Sequence, residues 1–169
     1  KEAKKVGTTA VAATTETGRF KRIPKQSELT LTPNAAYVHM TSNNTLYGTQ
    51  WHWLPDTGDA PLVSDSSSDM FSRPIDVSKF GLIYAGAQKN LGPSGVTVVI
   101  VREDLLARSA DALPTMLNLK THAENGSLYN TPPCFGIYIL RLVLKWLTGA
   151  GGLSAISETN ARKAKTLYD

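Results

Sequence analysis

The chain has 169 residues, 41% apolar and 19% charged, an ordinary globular balance with enough length for one domain with a real core. Its formal charge of +4 is mild and its basic residues are scattered, with Lys1, Lys4 and Lys5 the densest group, so the charge gives no support for a nucleic-acid surface. The single cysteine, Cys134, excludes a disulfide framework and a cysteine-based zinc site. The most apolar long segment, Cys134 to Leu147, is too short for a membrane span and carries Arg141 and Lys145, so a cytoplasmic protein is expected.

The chain opens without an initiator methionine, in what reads as the tail of a helix from Lys1 to Lys5. It closes at Asp169 in mid-helix, and both ends read as cut, which predicts a piece of a longer chain. Val6 to Ala12 is small and apolar and reads as a strand. Glu16 to Glu28 is polar, contains Gly18 and Pro24, and reads as a surface connection. Ala35 to Met40 is a short buried strand by composition, and Thr41 to Thr45 is the polar loop at its carboxyl end. Thr49 to Leu54 alternates around Trp51 and Trp53, as a strand edge or hairpin arm would. After the turn chemistry of Pro55 to Ala60, Pro61 to Ser64 forms a strand that runs into Asp65 and three serines, Ser66 to Ser68. Asp76 to Ser78 suits the start of a short helix.

Leu82 to Ala85 is a further apolar strand, ending in the small residues Ala85, Gly86 and Ala87 and delivering one lysine, Lys89. A loop rich in glycine and proline leads to the strand Val96 to Val101. Glu103 to Arg108 gives one or two helical turns, and Pro114 to Gly126 reads as irregular and polar. Pro132 and Pro133 open a long helix, since proline is accepted in a first turn. Apolar residues cover nearly all of Phe135 to Leu147, with only Arg141 and Lys145 marking a solvated stripe, so this helix is expected to be mostly buried. Gly149, Gly151 and Gly152 end it, and Ser154 to Tyr168 is a second, more polar helix. Short apolar strands separated by polar turns predict an α/β layered sheet, in which ligands bind beyond the carboxyl ends of strands.

Three such ends carry complementary groups. Asp65 follows a buried strand, where a partly desolvated carboxylate needs a cation or hydrogen-bond donors. Lys89 stands at a core strand's end, where desolvation lowers an amine's pKa and suits it to Schiff-base chemistry; the alternative is a solvated loop lysine. Thr45 and Ser66 to Ser68 add hydroxyls. An aspartate for a pyridinium nitrogen and a lysine for an imine are what pyridoxal phosphate requires. Asp69 competes with Asp65 as the carboxylate. His39, His52 and His122 lack ligand spacing and read as structural or surface residues, and Trp51 and Trp53 read as packing.

The run from Leu82 to Leu106, including Ala85-Gly86-Ala87-Gln88-Lys89-Asn90-Leu91-Gly92, closely resembles the phosphoserine aminotransferase family around its cofactor lysine. Ser67-Ser68, the segment Ser72 to Ser78 and the segment Ser127 to Pro133 match the same family in the same order, and the likeness looks collinear from about Ala35 onward. The resemblance implies the three-layer α/β/α, mainly parallel large domain of a fold-type I, pyridoxal-phosphate-dependent transaminase, with residues 1–169 as one truncated domain. It implies a homodimer whose cofactor site is shared between subunits. The implied reaction moves an amino group between glutamate and 3-phosphohydroxypyruvate, giving phosphoserine and 2-oxoglutarate in serine biosynthesis, and in bacteria also serves pyridoxine biosynthesis. Carried over by motif, Lys89 is the Schiff-base lysine and Asp65 pairs with the pyridine nitrogen. Thr45 bonds the ring-hydroxyl side, and Gln88 lies by the cofactor phosphate. Asn130 and Thr131 reach the phosphate of the partner subunit's cofactor.

The chain departs from the family in having Asn43-Asn44-Thr45 where Asn-Glu-Thr is usual. The family's Gly-Arg phosphate loop and ring-stacking tryptophan would precede Lys1, and its small domain with the substrate-binding arginine would follow Asp169. The competing expectations are a non-catalytic relative, or a fragment acting only in subunit association, and a nucleotide-binding module using Gly92 to Gly95. No Walker-type or GxGxxG motif supports the last.

Overall fold

In the computed structural model, which describes residues 2–168, residues 2–37 are irregular, with single 3-10 turns at Glu2–Lys5, Glu16–Gly18 and Gln26–Glu28. Val6 to Ala12 is not a strand. No neighbouring strand pairs with it, and Val6 and Val11 are 91% and 75% exposed. Apolar β-branched composition without a partner ladder does not make a strand. The segment from Arg22 to Glu28 is tied locally instead: both Arg22 guanidinium ends donate to Glu28 at 2.7 Å, and the Lys25 backbone N–H donates to Glu28 Oε2 at 2.7 Å.

Strand β1 (Val38–Thr41) begins three residues later than Ala35. A hairpin of β2 (Asn43–Asn44) and β3 (Thr49–Gln50) follows, then β4 (Leu62–Asp65), β5 (Leu82–Gly86) and β6 (Thr97–Val101). The four longer strands form one sheet in the order β1-β4-β5-β6. The first two pairings are parallel and β5-β6 is antiparallel, so the sheet is mainly parallel. Side chains alternate across it. Met40, Leu62, Ser64, Ile83 and Ala85 form the buried face, with Ile83 and Ala85 fully enclosed. The other face carries His39, Thr41, Asp65 and Tyr84.

Helices α1 (Glu103–Ala107), α2 (Leu119–Glu124), α3 (Cys134–Gly149) and α4 (Gly152–Tyr168) complete the chain. Pro114 to Gly126 therefore holds more order than expected, a 3-10 turn at Thr115–Leu117 and then α2. The Asn118 side chain caps α2 by accepting from the Lys120 N–H at 3.0 Å. Helix α3 lies against the loop before β6. A Cβ on Gly136 would stand 2.8 Å from Val96 Cγ2, so only glycine allows this approach. Leu140 packs on the core cluster. The other side of α3 is not buried as expected: Phe135, Tyr138 and Trp146 are 73%, 52% and 63% exposed. An all-round apolar helix needs cover on both sides, and residues 2–168 supply it on one. No single described helix is long and apolar enough to cross a membrane.

Candidate active site

Lys89 sits in a helical turn that caps β5. The N–H groups of Leu91 and Gly92 donate to the Ala87 carbonyl at 3.0 and 2.9 Å. Ala87 and Leu91, four residues apart, are 0% and 1% exposed and anchor the turn in the core, which turns Lys89 outward. Asn90 Nδ2 donates to the Met70 carbonyl at 2.6 Å and fixes the turn to the loop after β4. Lys89 is exposed rather than desolvated as expected, and its Nζ donates to Thr45 Oγ1 at 2.7 Å. Burial ends at the turn's inner residues, and the amine projects past them.

Asp65 ends β4 and is half-buried, as expected. Its Oδ1 accepts from the Ser67 N–H at 3.0 Å and from Ser67 Oγ at 2.6 Å. The same Ser67 oxygen accepts from the Gly86 N–H at 3.0 Å, so one hydroxyl links the ends of β4 and β5. Ser66 is buried and bonds to Ser64 and Ser42, and Ser68 bonds to Asn43, so of the three serines Ser67 serves the carboxylate. Asp69, the competing carboxylate, is held beneath the hairpin, where Ser42 Oγ donates to its Oδ1 and Gln50 Nε2 donates to its Oδ2 at 3.0 Å.

Register places Asp65 beside Thr41 on one side and Tyr84 on the other. The Tyr84 hydroxyl lies 3.0 Å from His39 Nε2. Burial, then the charge of Asp65 and hydrogen bonding to it, then Tyr37, push the Tyr84 phenol above its ordinary pKa. Burial pushes the His39 imidazole down, against an opposing pull from Asp65. Neither ring stands out as a site residue in the sequence. The alternation of β1 would have put His39 on the face of Thr41, but the strand order that brings Tyr84 beside them is not written in local periodicity.

Thr45 is carried by the turn between β2 and β3. Asn44, at the position where the family usually has glutamate, turns its Oδ1 inward to accept from the N–H groups of Leu46 and Tyr47, each at 3.1 Å, and so shapes the turn that holds Thr45. Gln88 is exposed, and its amide folds back over Gly86: a Cβ there would lie 2.7 Å from Gln88 Oε1. Asn130 and Thr131 are exposed just before α3, and Asn130 Nδ2 donates to the Thr131 carbonyl at 3.3 Å. The structure thus brings Thr45, Lys89, Asp65 and Ser67 to neighbouring strand ends, while no described hydrogen bond joins Asn130 or Thr131 to them.

The profile described as Aminotransferase class-V matches residues 1–169. The chain belongs to the class-V aminotransferase family. The phosphoserine aminotransferase of Herpetosiphon aurantiacus is 59% identical over 168 residues, covering 99% of this chain and 47% of that protein. A solved phosphoserine aminotransferase from Bacillus circulans subsp. alkalophilus matches with a TM-score of 0.96 at 56% identity, over 99% of this chain and 46% of its own. A pyridoxal-phosphate-bound phosphoserine aminotransferase from Trichomonas vaginalis matches with a TM-score of 0.83 at 39% identity, over 87% of this chain and 43% of its own. The chain therefore shares the α/β fold of these class-V aminotransferases and spans about half the length of the curated relatives it matches.

Proposed function

We propose that this chain is the cofactor-binding large-domain portion of a phosphoserine aminotransferase, and that the protein exchanges an amino group between glutamate and 3-phosphohydroxypyruvate. The observation that carries this reading is the Lys89–Thr45 pair in the turn after β5 together with the Ser67-held Asp65 at the end of the adjacent β4, in a chain 59% identical to a protein of that name. The residues fit pyridoxal phosphate by their chemistry: an accessible primary amine, a half-buried carboxylate tied through Oδ1, and a glycine at the strand end where a side chain would strike the Gln88 amide. When bound, that cofactor supplies an electron-accepting ring that stabilises a substrate carbanion.

The protein's own residues have distinct tasks. Lys89 Nζ carries the covalent attachment and, when released, takes and returns the proton at the substrate carbon. Thr45 Oγ1 accepts from that amine and would hold the ring-hydroxyl side of the cofactor. The Asp65 carboxylate holds the proton on the ring nitrogen, and Ser67 keeps the carboxylate oriented. Gln88 would help to hold the cofactor phosphate. Asn130 and Thr131, exposed and outside the chain's own strand-end cluster, would hold the phosphate of a second subunit's cofactor in a homodimer. The setting is cytoplasmic serine biosynthesis, with pyridoxine biosynthesis as a second outlet. In the intact protein, Lys89→Arg keeps the charge but cannot make the attachment. It should lower transamination by at least about a thousandfold and abolish the visible band of the bound cofactor. Retained band and activity in Lys89→Arg would remove the assignment.

A further inference from the structure

Strands β1, β4 and β5 gather His39, Asp65 and Tyr84 on one face of the sheet. Thr41 pairs with Asp65 and Asp65 with Tyr84, and His39 stands two residues before Thr41 on the same side. The His39 and Tyr84 rings lie 6.0 Å apart, with Nε2 to hydroxyl at 3.0 Å. Neither ring has a task in the mechanism above.

We propose that His39, acting through Tyr84, is a positioning residue that holds the Asp65 carboxylate toward the cofactor's ring nitrogen. This rests on the reading of Asp65 as the partner of that nitrogen. Ser67 ties one oxygen of Asp65, which leaves the plane of the carboxylate to be fixed from a second direction. Tyr84, the register partner of Asp65 on the adjacent strand, stands on the same face of the sheet, where the charge of Asp65 bears on its phenol. A hydroxyl can donate and accept at once. With its proton on Nε2, His39 donates to the Tyr84 oxygen and leaves the phenol proton to point at Asp65. The opposite direction would turn a phenol lone pair toward a carboxylate, so the charge of Asp65 selects the first. Burial, which favours the neutral imidazole, supports the same arrangement. A chain of this kind polarises along its length, so His39 strengthens the Tyr84 donor.

The test uses intact, cofactor-free protein titrated with pyridoxal phosphate and, in parallel, with its 1-deaza analogue, which has C–H in place of the ring nitrogen. His39→Leu and Tyr84→Phe should each weaken binding of pyridoxal phosphate about tenfold, as loss of a hydrogen bond to a charged group would, and change binding of the analogue by less than about twofold. His39→Gln, whose amide can donate to Tyr84, should recover most of the loss. The double variant should lose no more than Tyr84→Phe alone, because His39 acts through Tyr84. Equal losses for both ligands, additive losses, or no loss in His39→Leu would overturn the proposal while leaving the Lys89 reading intact. Failure of the unsubstituted protein to bind pyridoxal phosphate would remove both.

Discussion

Replacing Ser67 with alanine removes one oxygen that joins two strand ends. That oxygen donates to Asp65 Oδ1 at 2.6 Å and accepts from the Gly86 N–H at 3.0 Å. A hydrogen bond to a charged group contributes about 1.5–3 kcal/mol and one to a backbone amide about 1 kcal/mol. Ser67, Asp65 and Gly86 are all half-buried, so water recovers part of each, and a loss of about 2 kcal/mol is expected. In a unit of this size that lowers the unfolding midpoint by about 4–8 °C. Asp65 would keep the Ser67 N–H as its remaining Ser67 donor, so affinity for pyridoxal phosphate should fall as well, by about tenfold. Denaturant unfolding and cofactor titration of Ser67→Ala, Asp65→Asn and the double variant separate the two effects. Part of the Ser67→Ala loss should vanish in the Asp65→Asn background, because the two side chains are coupled. A change under about 0.5 kcal/mol, or fully additive losses, would refute the link.

Three further outcomes are expected. Gly136→Ala gains about 1 kcal/mol of helix preference but forces a Cβ to 2.8 Å from Val96 Cγ2, at a cost of about 1–3 kcal/mol, so it should destabilise slightly; in a Val96→Ala background it should stabilise. Thr45→Val removes the acceptor for Lys89 Nζ from an exposed turn, so stability should stay within about 0.5 kcal/mol while cofactor affinity falls. The Arg22 side chain, then the Lys25 N–H, hold the Glu28 carboxyl at about 2. A lowered acid stabilises above its unfolded value of 4.5, so the Arg22–Glu28 tie should be lost as pH falls from about 4.5 through about 2, as a carboxyl NMR titration would show.

The sheet was legible because β4, β5 and β6 are short apolar runs bounded by turn residues, and the same boundaries put Asp65 and Lys89 at strand ends. Composition misled where burial depends on partners. Val6 to Ala12 has strand-like residues with no ladder to join, and α2 was hidden in a polar segment because six residues are too few for a periodic signal. The apolarity of α3 was legible, but which of its sides finds cover is decided by tertiary packing. The exposure of Lys89 was not legible either. It follows from Ala87 and Leu91 turning inward, which places the residue between them outward. His39 and Tyr84 come to the face of Asp65 through register, since Asp65 meets Tyr84 across β4 and β5, at positions 19 residues apart in the chain.

The most direct test of the Lys89 assignment is borohydride reduction of the intact protein loaded with pyridoxal phosphate, followed by peptide mass mapping. The expected result is the reduced cofactor's mass on the peptide that contains Lys89, and its loss in Lys89→Arg. Labelling at another lysine, or no labelling of protein that has taken up the cofactor, would contradict it.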